Sequence, residues 1–370
     1  MLSTITAPAG ELAGHVASIL SSPKAGEFAP PAWTGGLSGP GTRALRPPSV
    51  LSVPETPTYD NGLYCPPALR DDPALAETVN EAVVAWAESL GMYEGRLDVL
   101  RAANFGNLVT LSHPDCDDPD RLLAAAKCAC AEWTVDDYYS DNDELGSDTE
   151  NLGPRLTFAV GAVDPVHLVD EYEPAYREHM DSDPVLRGLS DSFRNFADYA
   201  SPSQVGRLRH EFTIFACASN AEGGWRTQNR QPNVPEYLNE RHLNSFLPCM
   251  TLTDSIGGYE LPTHVYYQAD VRRTVNYAAT AATIVNDVYS ASREGPDDTN
   301  LPGVLQANEG LGPVEALEKT VAVHNELVHR FEKDAYALSQ GDPTLRRFFA
   351  GMWAWMGGNR QWHATSERYN

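Results

Sequence analysis

The chain has 370 residues, 42% of them apolar, and carries 27 lysines and arginines against 51 aspartates and glutamates. Its formal net charge of −24 argues against nucleic acids and anionic membrane surfaces as partners, because both would repel it. The length allows one large hydrophobic core or two ordinary domains.

The first 57 residues are rich in proline, glycine, serine and alanine and show little hydrophobic periodicity. Such a segment buries too little apolar surface to order itself, so residues 1–57 are predicted to form a disordered tail. No basic stretch opens the chain, and Glu11 and His15 interrupt the first apolar run, which is unlike a signal peptide. No apolar run of about eighteen residues follows that would span a bilayer, and we expect a cytoplasmic protein.

Residues 58–370 are predicted to form one domain, because helical patterns follow one another without alternating strands or a repeat. Proline near the start of a segment and glycine at its end are typical helix boundaries. The predicted helices cover residues 72–91, 117–143, 183–200, 201–225, 234–255, 269–295, 312–341 and 343–369. The sequence therefore predicts an all-α domain with its helices packed around a common interior.

Two acidic clusters lie at the two ends of the second predicted helix. The first, DCDD at 115–118, is most simply a capped helix start. In the second, WTVDDYYSDND at 133–143, Asp137 and Asp141 share a helix face with Asp136 one step round. Crowded carboxylates repel one another unless a cation joins them, and ligands made only of oxygen suit Mg²⁺. A solvated acidic surface is the alternative, and for this cluster alone it is the simpler interpretation.

A second polar set follows the apolar run YAATAATIV. Asn286, Ser290 and Glu294 are spaced four residues apart, which stacks an amide, a hydroxyl and a carboxylate on one helix face. A polar stripe on a surface helix would explain the spacing equally well. The flanking Ala, Ile, Val and Tyr residues favour a face that looks into a cavity.

Taken together, the two sets resemble the two metal-binding motifs of class I terpene cyclases. In that family an Asp-rich motif and an Asn/Ser/Glu triad hold three Mg²⁺ ions over an isoprenyl diphosphate. The resemblance implies a helical bundle around a central active-site cavity, with Mg²⁺ as the cofactor. It also implies that the metal ligands are Asp136, Asp137, Asp141, Asn286, Ser290 and Glu294. The predicted catalytic residues are Asp136, Asn286, Ser290 and Glu294.

Cationic side chains are needed beside the acidic ligands, because the ligands alone would repel a diphosphate. Arg368 and Tyr369 match the family's Arg-Tyr pair, and Arg241 lies near where the family has its diphosphate-sensing arginine. Arg293 stands where the family usually has lysine. The resemblance therefore implies that Arg241, Arg293, Arg368 and Tyr369 bind the diphosphate. For Arg293, an ordinary surface ion pair is an equally good explanation.

Loss of diphosphate leaves a carbocation that water would trap, so the cavity should be closed, apolar and lined by aromatic faces. Aromatic residues on helices more often belong to a core, and we expect fewer than half of the candidates to line the cavity. The main candidates are Phe105, Trp133, Tyr138, Phe246, Trp353 and Trp362, with Tyr277 and Tyr289 in addition.

Longer stretches, among them LSHPDCDDPDRLLAAAKCACAEWTVDDYY and NSFLPCMTLTDSIGGYELP, resemble the bacterial 2-methylisoborneol synthase subgroup. That resemblance implies ionisation and cyclisation of 2-methylgeranyl diphosphate, followed by water capture of a bicyclic cation. It also implies a functional partner, a geranyl diphosphate 2-C-methyltransferase that makes the substrate. The residues after the Asp pair, Tyr138 to Asn142, depart from the subgroup's usual pattern.

Other functions stay open at this point. A 2-methylenebornane synthase shares the substrate and ends in proton loss, and a mono- or sesquiterpene cyclase would use geranyl or farnesyl diphosphate. A chain-elongating prenyltransferase would need a second Asp-rich motif in place of the Asn/Ser/Glu set. A non-enzymatic helical binding protein would explain the fold but not two metal-binding sets. We expect a small-molecule partner, neither nucleic acid nor membrane, and consider a homodimer as the assembly.

Overall fold

A computed structural model of the chain describes residues 59, 61–141, 148, 150–291 and 299–366. These residues are mostly helical and contain no β-strand, which confirms the all-α prediction. The predicted tail over residues 1–57 lies outside the described residues. The helices are α1 (Pro73–Ser89), α2 (Leu97–Ala103), α3 (Phe105–Ser112), α4 (Pro119–Val135), α5 (Leu152–Val163), α6 (Glu173–Ser182), α7 (Pro184–Ala197), α8 (Pro202–Thr227), α9 (Val234–Arg241), α10 (Leu247–Met250), α11 (Thr253–Ile256), α12 (Thr263–Tyr266), α13 (Ala269–Ser290), α14 (Leu301–Glu309), α15 (Pro313–Leu338) and α16 (Pro343–Thr365).

Several helices begin with a side-chain cap followed by proline. At α1, Asp72 Oδ1 accepts the N–H of Leu75 at 3.1 Å, and Pro73 takes the first position, where its missing N–H needs no partner. At α4, Asp118 Oδ1 accepts the N–H of Asp120 at 3.0 Å. The DCDD cluster is therefore a capped helix start, as predicted.

Small residues set the spacing between the helices at the centre. Helix α13 packs against α15 and α16, α16 packs on α3, and α3 packs on α1. A Cβ atom at Gly358 of α16 would lie 2.6 Å from the carbonyl carbon of Leu111 in α3. One at Gly106 of α3 would lie 2.3 Å from the carbonyl oxygen of Ala76 in α1. These close approaches leave α3 and α16 little room to shift relative to each other.

The segment predicted as one helix over 234–255 is interrupted in the structure, so this prediction was wrong. Helix α9 ends at Arg241 and α10 starts at Leu247. Ser245 Oγ accepts the N–H of Leu247 at 3.2 Å in the turn between the two helices. Pro248 has no N–H to donate to a helix continuing from α9. The break allows Phe246 to stack on Trp133 of α4.

Several shorter helices have no counterpart in the sequence prediction: α2, α3, α5, α6, α12 and α14. Helix α3 is buried at nearly every position, so it lacks the polar face that makes an amphipathic pattern visible. Helix α6 has the opposite character and buries none of its residues. No helix among the described residues is long and apolar enough to cross a membrane.

Candidate active site

The Asp-rich motif lies where α4 changes from an α-helix to a π-helix. Helix α4 ends at Val135, and the π-helix covers Asp136–Asp141, although an α-helix was predicted there. A π-turn is wider than an α-turn and is frequent at functional sites. Asp137 is 8% exposed and accepts a hydrogen bond from Tyr93 Oη at 2.6 Å, whereas Asp136 is more exposed. One carboxylate of the pair is therefore anchored inside the protein.

Two residues of the π-helix are tied to neighbouring helices. Tyr139 Oη donates to Asp183 Oδ2 at 2.7 Å, and burial raises the pKa of the Tyr139 hydroxyl. Arg226 Nη1 of α8 donates to the backbone carbonyl of Ser140. These contacts fix the motif to the start of α7 and to the end of α8.

The side-chain amide of Asn286, on α13, has a neighbour within hydrogen-bond distance at both Oδ1 and Nδ2. Its Oδ1 accepts a hydrogen bond from Arg241 Nη2 at 3.0 Å, and its Nδ2 lies 3.3 Å from His363 Nε2. Ser290 is buried one turn later, and its Oγ donates to the backbone carbonyl of Asn286 at 2.8 Å. The amide and the hydroxyl therefore follow each other along α13 at the predicted spacing.

A buried carboxylate next to Asn286 fixes Arg241. The Nε and Nη2 groups of Arg241 donate to Asp287 Oδ1 at 3.1 and 2.7 Å, and Tyr237 Oη donates to Asp287 Oδ2 at 2.8 Å. Burial disfavours the cation, but Asp287 raises the pKa of Arg241 further above its usual value. Burial, and then Asp287, raise the pKa of Tyr237. Arg241 Nη1 makes no hydrogen bond with the described residues, so its N–H groups can serve a ligand.

A cluster of aromatic rings links α4 to α3 and α16. Trp133 stacks on Phe246 with a centroid distance of 5.2 Å and meets Trp362 edge-on at 5.7 Å. Phe246 also lies 5.9 Å from the ring of His363, the partner of Asn286. This aromatic cluster comprises Phe105, Trp133, Phe246, Trp355 and Trp362. It contains four of the six main aromatic candidates. At one end Trp133 lies three residues before Asp136, and at the other Trp362 contacts His363, which lies beside Asn286.

The other two main candidates lie elsewhere. Trp353 stacks on Phe331 of α15 at 6.1 Å, and Trp355, two residues later, takes the place in the cluster instead. Residues two positions apart on an α-helix point to nearly opposite sides. Tyr138 packs edge-on against Tyr93 at 5.6 Å, and its Oη accepts the N–H of Tyr93 at 2.8 Å.

Comparison with known proteins decides the family. The model of terpene synthase family 2, C-terminal metal binding, matches residues 127–330, more than half of the chain. A 2-methylisoborneol synthase from Saccharopolyspora erythraea is 36% identical over 343 residues, which cover 91% of this chain and 95% of that protein. The chain belongs to the terpene synthase family.

Other comparisons agree with this membership. A 2-methylisoborneol synthase from Streptomyces ambofaciens is 38% identical, with 90% of this chain and 79% of that protein covered. The crystal structure of 2-methylisoborneol synthase from Streptomyces coelicolor in complex with Mg²⁺ and 2-fluoroneryl diphosphate is 36% identical, with a TM-score of 0.78. That match covers 85% of this chain and 98% of the other. The class I terpene synthase fold, inferred from two short motifs, is thereby confirmed.

Several predicted site residues of this terpene synthase lie outside the described residues: Arg293, Glu294, Arg368 and Tyr369. The same holds for the side chain of Asp141. Within the part of the chain that is described, no three His, Cys, Asp or Glu side chains come together as a metal site. The predicted ligands within that part include an amide and a hydroxyl. Metal ligation by the six named residues therefore stays a prediction.

The sequence interpretation missed several residues that support the site: Tyr93, Asp287, Trp355 and His363. Asp287 had a visible signal, since a carboxylate directly after Asn286 in an apolar helix needs a cationic partner when it is buried. The other three had none. Their partners lie 44 to 109 residues away in sequence, so no local spacing connects them.

Glu132 is a further acidic residue near the motif, one helical turn before Asp136. It is 4% exposed, Cys249 Sγ donates to its Oε2 at 3.1 Å, and its Oε1 has no partner among the described residues. Burial raises the pKa of Glu132 to about 8. The folded protein therefore keeps this carboxyl protonated near neutral pH.

The raised pKa of Glu132 predicts a pH-dependent stability. Between the unfolded-state pKa near 4.3 and about 8, the folded state holds one proton more than the unfolded state. The free energy of unfolding should therefore fall as pH rises, by up to about 1.4 kcal/mol per pH unit from this residue. Urea unfolding at pH 5, 6.5 and 8 would measure the slope. The Glu132→Gln variant should show a flatter slope, and equal slopes in the two proteins would contradict the prediction.

Proposed function

We propose that this terpene synthase converts 2-methylgeranyl diphosphate into 2-methylisoborneol and diphosphate, with Mg²⁺ as cofactor. The observation that carries the proposal is the pairing of Arg241 with Asn286 and Asp287 beside the aromatic cluster. This pairing places the Arg241 guanidinium, the Asn286 amide of the second metal-binding motif and the aromatic rings in one region. The similarity to 2-methylisoborneol synthases over about nine-tenths of the chain supports the choice of substrate.

The residues available for the metal fit Mg²⁺. Asp136 and Asp137 offer carboxylates, Asn286 an amide oxygen and Ser290 a hydroxyl, with no sulfur or imidazole among the six predicted ligands. The full proposed set is Asp136, Asp137, Asp141, Asn286, Ser290 and Glu294. When bound, Mg²⁺ supplies Lewis-acid stabilisation of the charge on the departing diphosphate.

The cationic residues would hold the diphosphate while the C–O bond breaks. Asp287 already neutralises part of the Arg241 charge and fixes its plane, so the Nη1 donors can meet a phosphate oxygen without reorganisation. Arg293, Arg368 and Tyr369 are proposed to add donors. Fixed donors of this kind act mainly on the charge that develops as the bond breaks.

The aromatic cluster would stabilise the carbocation and keep bulk water away. Cations are attracted to the faces of Trp and Phe rings, and more strongly where water is excluded. Trp362 is fully buried, and its Nε1 donates to the carbonyl of Ala103 at 2.8 Å, so its polar atom is satisfied. Trp133 and Phe246 keep some accessible surface and can face the hydrocarbon, whereas Trp362 supports the ring of Trp133 from the core. The extra methyl group of the substrate requires a separate methyltransferase acting on geranyl diphosphate.

Product analysis would test the proposed function. The purified protein would be incubated with Mg²⁺ and with geranyl, 2-methylgeranyl or farnesyl diphosphate, and volatiles would be identified by gas chromatography and mass spectrometry. We expect 2-methylisoborneol as the main product from 2-methylgeranyl diphosphate and no product when EDTA is present. An exocyclic alkene as the main C11 product would instead identify a 2-methylenebornane synthase. Turnover of farnesyl diphosphate alone would overturn the C11 assignment.

A further inference from the structure

His363 is a buried residue of α16 whose two ring nitrogens both lie within hydrogen-bond distance of partners. It is 0% exposed, and its Nδ1 lies 2.9 Å from the backbone carbonyl of Asn359. A carbonyl oxygen only accepts, so Nδ1 must carry the proton and donate it. Asn286 Nδ2, which can only donate, lies 3.3 Å from Nε2, so Nε2 accepts this hydrogen bond.

Arg241 fixes the orientation of the Asn286 amide independently. A guanidinium group has donors and no acceptor, so the amide atom 3.0 Å from Arg241 Nη2 has to be Oδ1. The NH₂ group of Asn286 therefore faces His363. A flipped amide would turn NH₂ toward the Arg241 donor and Oδ1 toward the lone pair on His363, and both hydrogen bonds would be lost.

The position of His363 is itself fixed from several sides. Asn359, whose carbonyl holds Nδ1, donates through Nδ2 to the carbonyl of Ala282 at 2.9 Å. Ala282 lies one turn before Asn286 on α13. Asn359 and His363 of α16 therefore connect two successive turns of α13 through hydrogen bonds. The rings of Phe246 and Tyr289 lie 5.9 Å from the imidazole centroid. A residue fixed in this way can hold the amide in one orientation.

We propose that His363 is a positioning residue for metal binding, which holds the Asn286 amide with Oδ1 presented to Mg²⁺. The inference rests on the proposed function, since it takes Asn286 as a ligand. Amide oxygens ligate Mg²⁺ and amide nitrogens do not, so the orientation of the amide decides which atom can meet the metal. Outer partners of metal ligands typically change metal affinity or activity about 10- to 100-fold.

A thermal-shift titration measures this role without turnover. Melting temperature would be recorded against Mg²⁺ concentration at a fixed concentration of inorganic diphosphate, for the full chain and its variants. The quantity compared is the Mg²⁺ half-point, the Mg²⁺ concentration that gives half of the maximal rise in melting temperature. His363→Phe keeps a ring but lacks the acceptor, and we expect its Mg²⁺ half-point to rise about 10- to 100-fold. His363→Gln offers an amide oxygen as acceptor and should stay within a few-fold of the unmodified protein.

A matched control separates positioning from general damage. His324 is also buried, on α15, at 1% exposure and outside the metal-binding motifs, so His324→Phe should keep the unmodified half-point. If His363→Phe does not fold, His363→Leu replaces it, because leucine also lacks an acceptor.

An unchanged half-point in the Phe or Leu variant would overturn the role of His363 while leaving the proposed function intact. Equal shifts in the Gln and Phe variants would overturn it as well, because they would indicate a steric role only. No Mg²⁺ response in the unmodified protein would overturn the metal assignment itself, and the role of His363 with it.

Discussion

Replacing Asn286 with alanine is expected to lower kcat by about 10³-fold, which corresponds to about 4 kcal/mol of transition-state stabilisation. The variant lacks the amide oxygen that we assign to Mg²⁺ and releases Arg241 Nη2 from its 3.0 Å contact. Both changes weaken the stabilisation of the departing diphosphate. Diphosphate release at saturating substrate would measure the loss, and circular dichroism should show a near-native helix content.

Asn276→Ala is a matched control for this variant. Asn276 is also an amide on α13, ten residues before Asn286, or about 15 Å along the helix axis. Replacing Asn276 with alanine should leave kcat within a few-fold of the value for the unmodified protein. Glu294→Ala, which removes the last residue of the same motif, should cause a loss comparable with that of Asn286→Ala. Most of the activity surviving in Asn286→Ala with Mg²⁺ present would refute the ligand assignment.

The Arg241→Lys substitution is expected to lower kcat by about 10²- to 10³-fold, the usual cost of losing one fixed donor to developing charge. Lysine keeps the positive charge but has no planar fork, so it cannot bond Asp287 through two nitrogens and present Nη1 as well. We chose lysine because alanine would leave Asp287 buried and unpaired, which destabilises the fold. Single-turnover measurements of diphosphate release would isolate the ionisation step.

Arg272 provides the control for Arg241. Its Nη1 donates to Glu211 at 2.6 Å, and the side chains of this pair are 19% and 1% exposed, close to the 15% and 1% of Arg241 and Asp287. It lies fourteen residues before Asn286 on the same helix, or about 21 Å along its axis. Arg272→Lys should therefore keep near-normal kcat. Equal losses in the two variants would indicate that Arg241 acts only on stability.

Features encoded by neighbouring residues could be predicted from the sequence. The starts of α1 and α16 follow from an aspartate cap and a proline, which act within a single turn. The stacking of Asn286 and Ser290 follows from the helix repeat alone. The all-α class follows from the same local patterns repeated along the chain.

Features set by distant contacts could not be predicted in this way. The break after α9 had a local signal in Pro248, which cannot continue a helix, but the packing of α10 on α8 and α4 depends on residues far away in sequence. Trp353 and Trp355 have the same local hydrophobic character, and only the neighbouring helices decide which of them faces Phe246. The contact of His363 with Asn286 joins residues 77 apart, so the helix spacing that identified Asn286 says nothing about its partner.

The central claim, a C11 diphosphate as the substrate, is tested most directly by kcat/KM for 2-methylgeranyl and geranyl diphosphate measured side by side. One methyl group in an apolar cavity is worth about 1–3 kcal/mol, so the C11 substrate should be preferred by about 10- to 200-fold. Some C10 products should still form when geranyl diphosphate is the sole substrate. Equal or greater kcat/KM with geranyl diphosphate would contradict the claim.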